Sequence, residues 1–177
     1  MHGYLEQALA NITPSTALDV GAGSGRDANW LAAKGWQVTA TEPAEALLKL
    51  AKQHSNAKVS WCNAALPALE HLPNPHQQFE LILLSAVWMH LPSEERPAAI
   101  KRLSELLSNT GNMYVSLRFG PSDPERPMYP VSYEQLQALA ADNGLTARNL
   151  NPVPSKDGLQ RSDVEWVTVE LLKTGKK

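Results

Sequence analysis

An apolar segment, three alternating glycines, an amphipathic segment and an acid follow one another in residues 18–42, LDVGAGSGRDANWLAAKGWQVTATE. Residues 17–20 are apolar without alternation, which predicts a strand buried on both faces. Residues 26–34 carry apolar side chains at helical spacing, Gly35 stands where a C-terminal cap is expected, and residues 37–41 predict another strand. A strand, a glycine turn, a helix and a second strand make a βαβ unit, whose strands run parallel.

The same alternation continues to the end of the chain and predicts an α/β fold, with helices on both faces of a mostly parallel sheet. Further strands are predicted at residues 58–61, 79–84, 113–117, 145–150 and 165–172. Further helices are predicted at residues 3–11, 44–54, 92–107 and 132–142. We expect Ser93 to cap the helix that follows Pro92, residues 109–112 to form a turn, and the last two strands to pair as a hairpin around the polar loop 151–162.

Length and composition are those of one globular domain, predicted to cover residues 1–177. Hydrophobic residues make up 43% of the chain and charged residues 19%, and no segment has the roughly 20 apolar residues that span a bilayer. The net charge of −2 comes from 16 basic and 18 acidic residues that are scattered, which disfavours a nucleic-acid partner. Cys62 is the one cysteine, so the sequence indicates neither a disulfide nor a zinc site and predicts a cytoplasmic protein.

The glycines at positions 21, 23 and 25 let the backbone turn tightly and approach a ligand closely. The dinucleotide fingerprint G-x-G-x-x-G requires its third glycine at position 26, where this chain has Arg26. Glu42, at the end of the second predicted strand, can accept hydrogen bonds from both hydroxyls of an adenosine ribose. A nicotinamide-dependent oxidoreductase therefore stays an alternative, and so does a non-catalytic module that binds the cofactor or a partner.

Five segments together resemble the class I S-adenosylmethionine-dependent methyltransferases: LDVGAGSGRDA, VTATEPA, NAALPAL, FELILLSAVWMHLP and LLSNTGNMYVSL. The resemblance implies a Rossmann-like three-layer sandwich with a mostly parallel seven-stranded sheet whose last strand is antiparallel. It also implies S-adenosyl-L-methionine as the cofactor. Residues 17–84 would then form the cofactor-binding half of the domain and residues 85–173 the acceptor-side half.

The resemblance assigns the cofactor contacts residue by residue. Asp19 would orient the loop and the methionyl amino group, Glu42 would hold the ribose, and Asn63, where the family usually has Asp, would accept from the adenine amino group. Arg26 would either pair with the methionyl carboxylate or cap the helix locally with Asp27. The other predicted cofactor contacts are Gly21, Ala22, Gly23, Gly25, Pro43, Ala64, Ala65 and Ser85.

Methyl transfer from a sulfonium is an in-line displacement, which needs alignment of donor and acceptor and, for some acceptors, removal of a proton. Base-methylating relatives often carry Asn/Asp-Pro-Pro-aromatic after the fourth strand. This chain has Ser85-Ala-Val-Trp88-Met-His90 there, which favours a small polar or anionic acceptor. Trp88 and His90 are expected to wall the acceptor pocket, and Arg118 is a candidate for anion binding. His90 is also the candidate base; alternatively, it only anchors the loop. The pocket is either open or roofed by residues 120–129, with Tyr129 against the substrate.

A narrower resemblance, to the tellurite-resistance methyltransferases, rests on GSGRDANWLAAKGWQVTATE and DGLQRSDVEWVTVELLK. That group has a His-Arg pair where this chain has Gln160-Arg161. Arg161 can still bind an anionic acceptor and is a second candidate catalytic residue, whereas Gln160 cannot act as a base. Alternatively, Arg118 and Arg161 lie at the surface and pair with Asp123 or Asp163.

Overall fold

The computed structural model describes residues 2–122, 126–156, 159 and 161–175, with side chains from residue 5 onward. Its helices are α1 (His2–Leu9), α2 (Arg26–Ala33), α3 (Glu45–Gln53), α4 (Arg96–Leu106) and α5 (Tyr133–Asp142), and a single 3₁₀ turn spans Trp88–His90. Its strands are β1 (Thr16–Val20), β2 (Gln37–Thr41), β3 (Val59–Cys62), β4 (Phe79–Leu84), β5 (Leu107–Phe119), β6 (Leu145–Asn149), β7 (Ser155–Lys156) and β8 (Glu165–Lys173).

One sheet contains all of these strands, in the order β3-β2-β1-β4-β5-β8-β6. β1 to β5 pair in parallel, whereas β8 runs antiparallel between β5 and β6. The predicted mostly parallel sheet with an antiparallel last strand is confirmed. The two-residue β7 is an eighth strand, which pairs with β8 from within the segment predicted to be a polar loop. Two residues are too short to leave a periodic pattern in the sequence.

Helices cover both faces of the sheet, which confirms the three layers. On one face, Leu5 of α1 and Leu31 of α2 pack with Leu81 and Leu83 of β4. On the opposite face, α4 and α5 pack against alternate residues of β4 and β5. The apolar residues of this second cluster include Ile82, Leu84, Ile100, Leu103, Val115, Leu117, Leu136 and Ala140.

Two sequence expectations about α4 and β5 are wrong. α4 begins at Arg96 rather than near Pro92, and the residue at its N-cap position is Glu95, so Ser93 does not cap the helix and instead hydrogen-bonds to Glu94. Residues 109–112 lie within β5, which starts at Leu107, and therefore do not form the predicted turn. The register against β4 shifts here, because Leu107 pairs with Phe79 and Asn112 pairs with Leu81, so the residues between them form an irregularity within the strand.

The carboxyl ends of the parallel strands meet at one edge of the sheet, where ligands bind in open α/β folds. The predicted site residues follow these ends in turn: the glycine loop (residues 21–25) after β1, Glu42 after β2, Asn63 after β3 and Ser85 after β4. Within the described part of the chain, no helix is both long and apolar enough to cross a membrane.

Candidate active site

The glycine loop adopts backbone conformations that other residues rarely take. Gly21 and Gly25 have φ angles of 64° and 90°. A Cβ added at Gly21 would lie 2.8 Å from Cγ2 of Val87, and one added at Gly25 would lie 2.9 Å from the ring of Trp61. Glycine at these two positions therefore lets the segment after β4 and the indole of β3 close on the loop from opposite sides.

Asp19 lies at the floor of this loop, and its side chain is almost completely buried, at 1% exposure. Its Oδ2 has no hydrogen-bond partner among the described residues. Burial raises the pKa of this carboxyl well above its ordinary value, and the negative charge of Asp27 adds to the effect. A buried carboxylate with an unused oxygen beside a ligand loop is suited to receive a cation such as an ammonium group.

Glu42 joins the glycine loop to the start of α3. Its Oε2 accepts from the backbone N–H of Gly23 at 2.8 Å, and its Oε1 accepts from the N–H of Ala44 at 2.8 Å. Each carboxylate oxygen has a second lone pair, which leaves acceptor capacity for the two hydroxyls of a ribose. The carboxylate thus holds the loop in place and still presents acceptors at the end of β2.

Arg26 forms a local ion pair with Asp27, which is one of the two roles predicted for it. Its Nε and Nη2 donate to the two carboxylate oxygens of Asp27 at 2.9 and 3.0 Å, and Nη2 also lies 3.5 Å from Oγ of Ser85. The side chain remains 69% exposed. Arg26 therefore spans the gap between the loop after β1 and the loop after β4, and its role toward a methionyl carboxylate stays a prediction.

Asn63 and its neighbours form the edge of the site beside β3. Nδ2 of Asn63 donates to the carbonyl of Pro43 at 3.3 Å, which leaves Oδ1 as the acceptor that faces a ligand. Ala64 is buried and Ala65 is exposed. An adenine amino group requires an acceptor, so this orientation of the amide is compatible with the predicted contact. Asp19, Glu42 and Asn63 thus follow or end neighbouring strands at one sheet edge, and their contacts with a cofactor stay predictions.

The segment after β4 connects the glycine loop to the acceptor side. The backbone N–H of Ala86 donates to Oγ of Ser116 on β5 at 2.7 Å, and Val87 packs over Gly21. Trp88 follows and is buried in the core. It is not among the residues that line the cavity described next, and its place in the wall of an acceptor pocket stays a prediction.

A cavity of about 340 Å³ lies beyond the end of β5. Its lining includes Arg118, Phe119, Gly120, Met128, Tyr129 and Val131. Arg118 is only 8% exposed. Its Nη1 donates to the carbonyl of Pro121 at 2.8 Å and lies 3.1 Å from the sulfur of Met128, while its buried Nε has no hydrogen-bond partner among the described residues. Asp123, a predicted partner of Arg118, lies outside these residues.

His90, at the end of the 3₁₀ turn, has a defined protonation pattern. Its Nδ1 lies 2.9 Å from the carbonyl of Pro127. A carbonyl only accepts, so Nδ1 carries the hydrogen and Nε2 is the lone-pair nitrogen in the neutral ring. Burial lowers the pKa of His90 below 6.5, the Pro127 hydrogen bond opposes this, and the positive charges of Arg126 and Arg118 lower it further. The neutral imidazole, which can accept a proton at Nε2, is therefore favoured at neutral pH.

Arg161 lies in the loop before β8 and is not among the residues that line the cavity. Gln160, its predicted companion, falls outside the described residues. In the described segments, no group of three or more His, Cys, Asp or Glu side chains that could hold a metal occurs. Arg118 and Tyr129 both line the cavity, and their contact with a substrate stays a prediction.

Sequence reasoning missed Val87, Met128 and Arg96. Val87 and Met128 are ordinary apolar residues in loops, and no pattern distinguishes them. Arg96 carried a signal, because a basic residue in the first turn of a helix is disfavoured by the helix dipole. Such a residue indicates that the surrounding structure holds it there for another reason.

The chain matches the family model of the methyltransferase domain over residues 17–111, more than half of its length. It is 27% identical over 136 residues to the probable S-adenosyl-L-methionine-dependent methyltransferase TehB of Haemophilus influenzae, covering 75% of this chain and 46% of that protein. It is 29% identical over 113 residues to the ubiquinone biosynthesis O-methyltransferase of Coxiella burnetii, covering 64% of this chain and 47% of that protein. The chain thus spans about half the length of these curated relatives.

The fold is similar to the crystal structure of magnesium protoporphyrin IX methyltransferase from Synechocystis PCC 6803 with bound S-adenosylmethionine, with a TM-score of 0.73 and 19% sequence identity. The match covers 97% of this chain and 76% of that chain. This likeness supports the fold, and the residues matched by the family model include the glycine loop. The chain belongs to the methyltransferase domain family, as a class I S-adenosylmethionine-dependent member.

Proposed function

We propose that this chain transfers the methyl group of S-adenosylmethionine to a small molecule that carries a polar or anionic group. The observation that carries the acceptor class is the nearly buried guanidinium of Arg118 at the cavity beyond β5. Of the proteins named above, one is an O-methyltransferase of ubiquinone biosynthesis and another is a methyltransferase of magnesium protoporphyrin IX, and these names support a small-molecule acceptor.

S-adenosylmethionine supplies an electrophilic methyl group on a sulfonium. Asp19 would bind the ammonium group of the cofactor, Glu42 the ribose and Asn63 the adenine. These contacts would put the sulfonium end near Gly21 and Ser85, on the side of the loop that faces β4. The chain's contribution is then to bring an acceptor atom from the cavity side into line with the methyl group.

Arg118 is the group best suited to bind the acceptor. A buried guanidinium is costly unless its donors are satisfied, and the contacts of Arg118 in the described residues are one carbonyl and one weakly accepting sulfur. A carboxylate or another oxyanion in the cavity would compensate the charge and accept from the unused Nε. Phe119, Met128 and Val131 line the same cavity, so the remainder of the acceptor is expected to be apolar.

His90 is proposed as the general base for acceptors that lose a proton on methylation. Its Nδ1 donates to Pro127, and Nε2 is the nitrogen that would receive the proton. The lowered pKa keeps the ring neutral near pH 7. Loss of the imidazole in His90→Ala should lower kcat by about 10²-fold or more for a phenol or an amine. The effect should be small for an acceptor that is already ionised at the reacting atom.

The experiment is formation of S-adenosylhomocysteine with a panel of aromatic and aliphatic carboxylates, oxyanions of tellurium and selenium, neutral phenols and amines. Arg118→Met should raise KM about tenfold or more for the anionic acceptors, because a charge-assisted hydrogen bond is lost, while kcat stays within a few-fold. Arg118→Lys should recover part of the affinity, since the charge returns without the planar guanidinium.

Arg161→Met is the matched control, because Arg161 is an exposed arginine in a neighbouring loop. Equal effects of Arg118→Met and Arg161→Met would contradict the assignment to Arg118. If no acceptor yields S-adenosylhomocysteine although the cofactor binds, the chain is a non-catalytic module. Calorimetry that detects NAD(P) but not S-adenosylmethionine would instead support the oxidoreductase alternative.

A further inference from the structure

Arg96 is a buried cation in an unfavourable position. It is 1% exposed and is the first residue of α4, where the helix dipole repels positive charge. It forms no ion pair with a carboxylate among the described residues, although the charge of Glu94 acts on it from nearby. A buried guanidinium without an ion-pair partner costs free energy that other contacts must offset.

The contacts of Arg96 join three separate segments: the 3₁₀ turn with the residue after it, the loop that follows β5, and α5. Nε donates to the carbonyl of Leu91 at 3.1 Å, and Nη1 donates both to the carbonyl of Pro130 at 2.9 Å and to Oε1 of Gln135 at 2.8 Å. The guanidinium also lies 5.8 Å from the ring centroid of Trp88, within the range of a cation–π interaction.

The described residues 126–131 of the loop that follows β5 are called the strap, and two further hydrogen bonds tie the strap to the same turn. The backbone N–H of Tyr129 donates to the carbonyl of Met89 at 2.7 Å. Nδ1–H of His90 donates to the carbonyl of Pro127 at 2.9 Å. Pro127 and Tyr129 are thus bonded to the turn, and Pro130 is bonded to Arg96.

We infer that Arg96 is a positioning residue that holds the strap against the 3₁₀ turn and thereby fixes His90 with Nε2 as its lone-pair nitrogen. The chain of contacts runs from the guanidinium to the Pro130 carbonyl, along three residues of the strap to the Pro127 carbonyl, and from there to Nδ1 of His90. The use of Nε2 as a base rests on the proposed function. The anchoring of the strap and the tautomer of His90 do not.

Gln135 offers a mild way to change this contact, because it is exposed on α5 while its side-chain oxygen accepts from Arg96. Gln135→Glu converts a neutral acceptor into a charged one, which should strengthen the hydrogen bond, and Gln135→Ala removes it. Gln137→Glu adds the same charge two residues further along α5, where the Gln137 side chain instead donates to Tyr133, and serves as the matched control.

Two measurements report on the strap without an acceptor substrate: hydrogen exchange of the Tyr129 amide, and the His90 ring tautomer by ¹⁵N NMR. In Arg96→Met, the Tyr129 amide should exchange about tenfold faster and the Nε2–H tautomer of His90 should become populated, with Arg96→Lys giving partial rescue. Gln135→Ala should shift both readouts in the same direction by less, Gln135→Glu should slow the exchange, and Gln137→Glu should leave both unchanged.

A merely structural Arg96 would lower the melting temperature without changing the His90 tautomer in the folded protein. A folded Arg96→Met variant that binds S-adenosylhomocysteine within twofold of the wild type, with both readouts unchanged, overturns the inference. If Arg96→Met does not fold, the Gln135 variants decide, and opposite effects of Ala and Glu support the inference. If the variants change the Tyr129 exchange and the His90 tautomer as expected but the protein methylates no acceptor, only the proposed function is contradicted.

Discussion

Glu42 holds the backbone of Gly23 and Ala44, and we propose that it also binds the ribose of the cofactor. Glu42→Ala removes two charge-assisted hydrogen bonds to the backbone together with the proposed contact with the ribose. We expect S-adenosylhomocysteine to bind more than about tenfold more weakly by calorimetry. Glu45→Ala is the control, because Glu45 is exposed in the first turn of α3. Unchanged affinity in Glu42→Ala would sink the ribose assignment.

We predict that the buried carboxyl of Asp19 lowers the stability of the cofactor-free protein at neutral pH, although the same carboxyl is proposed to bind the cofactor. Its folded-state pKa is raised mainly by burial, so the folded protein holds this proton more tightly than the unfolded chain. The stability that this group contributes is therefore lost as pH rises from the unfolded carboxyl pKa through the raised folded one. Thermal unfolding of the cofactor-free protein between pH 4 and about pH 8 should show this decline, and Asp19→Asn should remove that component.

The same substitution should weaken cofactor binding, because an amide cannot supply the negative charge that an ammonium group requires. Asp19→Asn is thus expected to be more stable than the wild type at neutral pH without ligand, and to bind S-adenosylhomocysteine about tenfold more weakly or worse. A variant that is less stable at pH 7.5 yet binds normally would contradict the assignment of Asp19 to the ammonium group.

The turn between β1 and α2 depends on close packing as well as on backbone conformation. Gly25→Ala places a methyl group 2.9 Å from the Trp61 ring, which is fixed by a hydrogen bond from Nε1 to Ser55. Gly144→Ala is the control, because Gly144 also has a positive φ but a Cβ there meets nothing within 4 Å. Denaturant unfolding should show Gly25→Ala to be less stable than Gly144→Ala by about 1–3 kcal/mol. Equal losses would mean that only backbone strain matters.

Strands with a strong local hydrophobic pattern were predicted from the sequence. Element bounds that depend on contacts with distant residues were not. β2 and β4 were predicted at their observed bounds, because β2 lies between Gly35 and Pro43 and β4 is apolar except for Glu80. The first half of β5 was missed, because its Asn and Gly residues favour a turn and its register against β4 is interrupted between Leu107 and Asn112. The start of α4 was misplaced because the residues after Pro92 form turns before the helix begins at Arg96.

The same contrast between local patterns and distant contacts applies to the residues of the candidate site. Asp19 and Glu42 lie beside a motif with local spacing, so their positions at the strand ends followed from the sequence. The proposed roles of Arg96 and His90 depend on hydrogen bonds to Pro127, Pro130 and Gln135, which are more than 30 residues away along the chain. No pattern in a single sequence records such contacts. Burial of Trp88 beneath the turn is likewise a consequence of how the turn packs on the core.

At the scale of the whole molecule, the cofactor half and the acceptor half share one sheet, since β4 pairs with β1 on one side and with β5 on the other. A domain of this kind is expected to unfold as one cooperative unit. S-adenosylhomocysteine at 100 times its dissociation constant should then add about 2.7 kcal/mol to global stability, a shift in melting temperature of roughly 5–10 °C.

Hydrogen exchange can test whether both halves of the sheet gain the same stability when the ligand binds. Hydrogen exchange of the Val38 amide in β2 and of the Val169 amide in β8 should slow by the same factor, although only β2 adjoins the glycine loop. Protection of Val38 without protection of Val169 would show that the two halves unfold separately, and would overturn the prediction of a single domain over residues 1–177.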